Sequence, residues 1–149
     1  MKYLIPFFLI GLLSCRDPFC TDQSDQTAGI VVRVLDRQYI AYQEGEDLGR
    51  FGIRISSKER YEQVFSGCCA SRLDSIDFNQ FEILGLSTVN RGSPSGYLRD
   101  VQRDDINKKI TYTVTERYCQ RSSPVDGQGN YVLIPKQPSD YKVDYVRNQ

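Results

Sequence analysis

The 149-residue chain contains no histidine and no tryptophan, and its single methionine is the first residue. Without histidine, the commonest general base near neutral pH and the commonest transition-metal ligand are missing, which excludes histidine-based catalytic triads and zinc–histidine sites. There is no excess of positive charge either, because 19 Lys plus Arg balance 19 Asp plus Glu. Binding through nucleic-acid phosphates rests on clustered cations, so nucleic acid is set aside as a partner. What is present is 40% hydrophobic residues, 26% charged residues and five cysteines. That composition describes a folded body with oxidative cross-links, and the length suits one domain of roughly 100 to 150 residues.

Residues 1–15 open with a cation at Lys2, continue through an apolar stretch from Tyr3 to Leu13, and end in Ser14-Cys15. The apolar stretch suits the core of an export signal, whereas crossing about 30 Å of hydrocarbon needs roughly 20 residues. Leu12-Leu13-Ser14-Cys15 resembles the lipobox of bacterial lipoproteins. That resemblance implies a diacylglycerol on the Cys15 sulfur, cleavage after Ser14 and acylation of the new amino group. Two or more acyl chains, at about 0.8 kcal/mol per buried methylene, hold a protein on a bilayer without spanning it. Arg16 stands where the inner-membrane retention signal needs Asp, so the resemblance favours the outer membrane, on its periplasmic or its surface side.

The mature chain reads as a linker, 15–29, and one domain, 30–149. The linker is polar, carries Pro18 and Gly29 and shows no apolar period; Cys20 within it is expected to staple it to the domain. Residues 30–35 (IVVRVL) and 38–43 read as strands, 44–49 as a turn, and Phe51, Ile53 and Ile55 alternate as a half-buried strand does. Ser56 and Glu59 have capping-box spacing, which predicts a helix over about 57–66 with Tyr61, Val64 and Phe65 on one face and a stop at Gly67. Residues 81–88, 97–103, 109–118, 131–134 and 141–146 read as further strands. Turn-forming clusters at 90–96, 103–107, 122–130 and 137–140 separate them. The fold class is α+β, a mainly antiparallel sheet with one helix, stapled by two disulfides.

Removing Cys15 leaves Cys20, Cys68, Cys69 and Cys119, an even number. A bridge between neighbours is disfavoured, since their Cα atoms stand about 3.8 Å apart and disulfides usually need about 4.4 to 6.8 Å. Cys20 is then expected to bond Cys68 or Cys69, and Cys119 the other. Neither the C-x2-C spacing of zinc sites nor the C-x-x-C of thiol oxidoreductases occurs, so a metal or redox role is not favoured.

No catalytic constellation stands out. Ser57-Lys58 could be a serine activated by lysine, but the position is that of a helix cap. Asp104-Asp105 reads as a hairpin tip, since adjacent strand side chains point to opposite faces. Glu44, Glu46 and Asp47 with the 126–130 loop could offer oxygens to calcium, yet lack the alternating ladder and terminal Glu of a calcium loop. The tyrosines that fall on strands, Tyr39, Tyr97, Tyr112, Tyr131, Tyr141 and Tyr145, read mainly as packing residues, and a subset on one face would form an interface.

Ile76-Asp77-Phe78, the strand from Phe81 to Leu86, Gly96-Tyr97 after a turn, the long strand ending near Glu116, and Tyr131-Val-Leu-Ile-Pro-Lys136 resemble the C-terminal domain of PrcB-type lipoproteins. Those are accessory subunits of secreted protease complexes. The chain departs from that family where a paired glycine precedes the tyrosine, here Ser95-Gly96-Tyr97, and in carrying Cys68, Cys69 and Cys119. The resemblance implies a non-catalytic partner role in the envelope. The expectation is therefore a lipid-anchored module without cofactor, catalytic residue or metal, binding another envelope or secreted protein. The competitors are a small-ligand-binding lipoprotein with a tyrosine-lined pocket and a hydrolase using Ser57, Lys58 or acidic residues.

Overall fold

The computed structural model describes residues 20, 24–35, 39–43, 46–69 and 73–148, with the backbone alone of 42, 43 and 122–126. Residues 1–14, the lipidation candidate Cys15 and linker residues 16–19 and 21–23 lie outside the described residues. In chain order the elements are β1 (Gln26–Gly29), β2 (Arg33–Val34), β3 (Tyr42–Gln43), β4 (Glu46–Asp47), β5 (Ile53–Ile55), α1 (Lys58–Cys69), β6 (Phe81–Asp104), β7 (Lys109–Pro135) and β8 (Lys142–Asn148). Among the described residues the architecture is mostly sheet with one helix, as the patterning predicts. The sheet is mixed, however: β6 pairs β7 antiparallel, while β1 runs parallel to β6 and β8 parallel to β7.

The turn-forming clusters at 90–96 and 122–130 do not end strands. Both lie inside one hairpin, the first facing 117–126 and the second facing 86–90, with a register shift between Asn90 and Gly92. This shift is the fold line of the hairpin. A base half pairs residues 81–90 with 126–135, and a tip half pairs 92–104 with 109–121. Leu84, Leu86, Val132 and Ile134 of the base half share one buried cluster with Tyr97, Val101, Ile110, Tyr112 and Val114 of the tip half. The tip half therefore lies over one face of the base half, and the Tyr112 hydroxyl crosses between them to the Asn130 carbonyl at 3.1 Å.

The other face of the base half is covered by α1. Its 12 residues place Tyr61, Val64, Phe65 and Cys69 on one side, the spacing of a single helical face. These pack on Ile55, Ile83, Tyr131 and Leu133. Phe65 meets Tyr39, Tyr61 and Tyr131 edge-on at 4.9, 5.5 and 5.1 Å between ring centres. Each fully buried side chain of this size contributes about 1.5–3 kcal/mol, with about 0.5–1.5 kcal/mol more for an aromatic pair. The base half thus has a core on each face, which is why 81–86 reads as a near-continuous apolar run. In the tip half Ile110, Tyr112 and Val114 alternate with less buried threonines, the period-two pattern of a strand with one buried face.

Several boundaries differ from those predicted. The helix cap is Ser57, not Ser56, its Oγ accepting the Arg60 N–H at 3.2 Å. Gly67 does not stop α1, which continues to Cys69; Gly67 is on an exposed face where the missing side chain removes no packing. Of the predicted strand 30–35 only Arg33–Val34 is strand, while Gln26–Gly29, read as linker, forms β1; Gly29 at φ +69° turns the chain off β1, and a side chain there would meet the Val101 carbonyl. The chain thereby passes from the tip half, where β1 pairs β6, to the base half, where β2 pairs β7. Phe51 lies in the turn before β5 and is 81% exposed, so the alternation holds only for Ile53 and Ile55.

The disulfide pairing also differs. Cys20 is bonded to Cys119, with Cα atoms 5.5 Å apart, and Cys68 to Cys69, with Cα atoms 3.7 Å apart. The layering gives the reason. The helix that carries Cys68 and Cys69 lies on one face of the base half, and Cys119 belongs to the tip half on the opposite face. The N-terminal segment leads into β1 on the tip half, which brings Cys20 to Cys119 instead. At the end of α1 the adjacent sulfurs are left to bond each other.

Candidate functional site

Residues 73–78 run beside α1 outside any helix or strand. They are held there by the Asp74 N–H on the Tyr39 hydroxyl at 3.0 Å, and Tyr39 meets the Tyr61 hydroxyl at 2.9 Å. Burial, followed by that hydrogen bond, pushes the Tyr61 phenol well above its ordinary range. Phe78 lies against Tyr61, ring centres 5.5 Å apart. Between this segment and the helix lie two adjoining depressions of about 550 and 340 Å³. They share Lys58, Ile76 and Phe78 and so form one open groove. Its lining mixes the apolar side chains of Tyr61, Leu73, Ile76 and Phe78 with Lys58, Glu59, Glu62, Asp77 and Lys136, which are exposed.

The Ser57-Lys58 pair stands at one end of this groove, together with acidic residues. Its groups are engaged structurally. Ser57 caps the helix, Lys58 pairs with Glu62 at 3.6 Å, and the Lys136 ammonium donates to the Ser56 carbonyl at 2.6 Å. The Glu59 carboxyl is held below its ordinary range by backbone hydrogen bonding at the helix start and by the Ser57 hydroxyl. This is the chemistry of an N-terminal cap.

The second pair of loops is brought together only in part. Asp47, Ser87, Gly127, Gln128 and Gly129 line a cavity of about 100 Å³ with Tyr39 and Tyr131. The Asp47 carboxylate accepts the Gly49 N–H at 2.9 Å and the Ser87 hydroxyl at 2.8 Å, while Asn130 turns away to Arg99 and Thr88. Glu44 and the Asp126 side chain lie outside the described residues. Among the described residues no three His, Cys, Asp or Glu side chains converge as metal ligands would. Asp104 and Asp105 do not act as a pair: Asp104 takes the N–H groups of Ile106 and Asn107, and Asp105 takes the Tyr141 hydroxyl and Arg103.

Two buried charged clusters escaped the sequence reading. Arg99, 0% exposed, donates from Nε to Asn130 at 3.0 Å and from Nη1 to Asp25 at 2.9 Å, and lies 5.3 Å from the centre of the Tyr97 ring. Glu82, also 0% exposed, receives both Nε and Nη2 of Arg54 on one oxygen at 3.1 and 3.0 Å. Arg54 also donates to the carbonyls of Gln137 and Tyr141, tying β5 and β6 to the connection before β8. Burial pushes the Glu82 carboxyl above its ordinary range against the pull of Arg54. The signal for these clusters is a charged residue inside an apolar strand, but the pattern does not tell which face is covered. Of the tyrosines predicted on strands, Tyr39 and Tyr141 lie outside them; Tyr39 and Tyr131 belong to the helix-side core and Tyr97 and Tyr112 to the core between the hairpin halves, with Tyr141 and Tyr145 packed against its edge.

No family model matches the chain, and no curated protein or solved structure is similar to it.

Proposed function

We propose that the protein is a lipid-anchored, non-catalytic module of the bacterial cell envelope, tethered at Cys15 in the outer membrane, that binds another envelope or secreted protein in the groove beside α1. The observation that carries this reading is the groove itself: open, with Tyr61, Leu73, Ile76 and Phe78 set among polar and charged residues. Such a surface suits an extended segment of a polypeptide partner, with apolar side chains seated between Ile76 and Phe78 and charges meeting Lys58 and Lys136. The Leu12-Leu13-Ser14-Cys15 motif supports the anchor, and no helix among the described residues is long and apolar enough to cross a membrane. An accessory role of the kind implied by the PrcB-type resemblance agrees with a groove whose serine and lysines are engaged in capping and pairing. The cavity between Tyr39 and Tyr131, about 100 Å³, is small beside the roughly 300 to 1,000 Å³ of small-molecule sites, which weighs against a tyrosine-lined ligand pocket there.

The test is affinity purification of the intact lipoprotein from native membranes in mild detergent, alongside Lys58→Glu and Lys136→Glu. Both side chains are on the surface, so the variants are expected to fold with stability changes within about 0.5 kcal/mol. A stoichiometric partner with wild type, falling at least about tenfold with the double charge reversal, would support the reading, since like-charge juxtaposition at a rim is strongly unfavourable. Recovery that ignores the reversals, or no partner from any membrane preparation, would count against it.

A further inference from the structure

The molecule has two distinct ends. At one is the fold line, where residues 90–96 face 117–126. At the other are the hairpin tip at 105–108, the 136–141 connection and the α1 groove, brought together where Lys136 donates to Ser56 and Lys108 to Asp140. The strand from Phe81 to Asn90 separates the two ends, about 30 Å at roughly 3.3 Å per residue.

The Cys20–Cys119 bridge fixes the N-terminal segment to the fold-line end. Only five residue steps separate Cys20 from Cys15, and an extended chain covers at most about 3.5 Å per step. An acylated Cys15 therefore holds the fold line within about 17 Å of the bilayer. The surface at that end is suited to the contact. Arg91, Arg117 and Arg121 are exposed there, and Val89 and Tyr118 are 49% and 37% exposed. Of the acidic residues there, Glu116 is 6% exposed and accepts the Arg91 N–H at 2.7 Å, and Asp126 stands opposite Asn90, so the three arginines outnumber them.

We infer that the fold-line end is a membrane-contact surface for anionic phospholipid, the arginines meeting headgroup phosphates and Tyr118 and Val89 entering the interface. This rests on the lipid anchor at Cys15 proposed above. Tyrosine favours the headgroup level. Each arginine near an anionic surface strengthens attachment about fivefold, an effect that fades beyond a Debye length of about 10 Å in 0.1 M salt. The domain then stands on its fold line, and the groove points about 30 Å away from the bilayer, open to partners in the aqueous compartment.

The absence of tryptophan permits a clean test on the full lipoprotein. Tyr118→Trp at the fold line and Ile106→Trp at the tip, where the native side chain is 94% exposed, each supply a single fluorophore. Both are reconstituted into phosphatidylcholine vesicles with or without phosphatidylglycerol, carrying acyl chains brominated near the headgroup. The expected result is quenching of Tyr118→Trp that grows with phosphatidylglycerol, falls about fivefold per arginine in Arg91→Glu and Arg121→Glu backgrounds, and is absent from Ile106→Trp. Equal quenching at both sites, or none at Tyr118→Trp in protein that floats with the vesicles, overturns the inference. Flotation and the mass of the N-terminal peptide read the anchor separately. If the chain does not float, a blue shift of Tyr118→Trp on adding anionic vesicles still supports the surface, and its absence refutes it.

Discussion

Removing the Asp25 carboxylate while leaving Arg99 in place should destabilise the domain by about 3 kcal/mol. The Arg99 side chain is 1% exposed and that of Asp25 24%. Breaking a fully buried pair by deleting one partner costs about 3–5 kcal/mol, because a charge is left in a low-dielectric surrounding without its counter-ion. Two features lower the figure here. Asp25 is partly solvated, and Arg99 keeps its bond to Asn130 and its place beside the Tyr97 ring. One feature raises it, since Asp25 also accepts the Tyr97 N–H at 3.0 Å, and a stranded backbone donor adds about 1 kcal/mol or more. In a domain of this length about 1 kcal/mol moves the melting temperature by roughly 2–4 °C, so Asp25→Ala should lower it by about 9 °C. Arg99→Met removes the buried charge and leaves a half-solvated carboxylate, which should cost about half as much. Combining the two should recover about 1–2 kcal/mol relative to the sum of the singles. Thermal unfolding of the four oxidised proteins, followed by circular dichroism, measures all of this. A shift under about 3 °C for Asp25→Ala, or singles that add within about 0.5 kcal/mol, would refute the assignment of Arg99–Asp25 as a coupled buried pair.

The Glu82 carboxyl titrates above its ordinary range in the folded protein because it is buried. Between about pH 4.3 and that raised value the native state holds more protons than the unfolded chain, so stability falls as pH rises through this window. Glu82→Gln should flatten that slope in denaturant midpoints measured against pH, and an unchanged slope would show that another group supplies it. The Cys20–Cys119 bridge joins residues 99 positions apart, a loop for which chain entropy allows up to about 4.7 kcal/mol. Cys20→Ser with Cys119→Ser should therefore lower stability by about 2–4 kcal/mol, and Cys68→Ser with Cys69→Ser by much less, since the adjacent pair closes almost no loop. Peptide mapping without reduction should recover the Cys20 and Cys119 peptides joined; a Cys20 peptide attached to Cys68 or Cys69 would contradict the fold described.

Local patterning sufficed for the elements whose causes are local. Tyr61, Val64 and Phe65 are spaced for one helical face, and a helix covers the sheet there. Ile110, Tyr112 and Val114 alternate with threonines, and a strand with one buried face follows. Gly and Pro at 92 and 94 were misleading for a physical reason. They bend a chain, but whether a bend ends a strand depends on what lies opposite, and here the opposite strand carries its own irregularity at the same place. The groove escaped sequence reading because its lining comes from a helix, the 73–78 segment and Lys136, which are separated along the chain.

By itself the sequence determined the helix face, the strand alternation and the absence of histidine chemistry, all of which depend on neighbouring residues or on composition. Only the tertiary structure decided that one hairpin doubles over on itself, that Arg99 and Glu82 lie inside, that Cys20 meets Cys119, and that the groove lies at the end away from the fold line. Those outcomes depend on which distant surfaces exclude water together. Side-chain periodicity identifies a face to be buried but carries no information about what buries it.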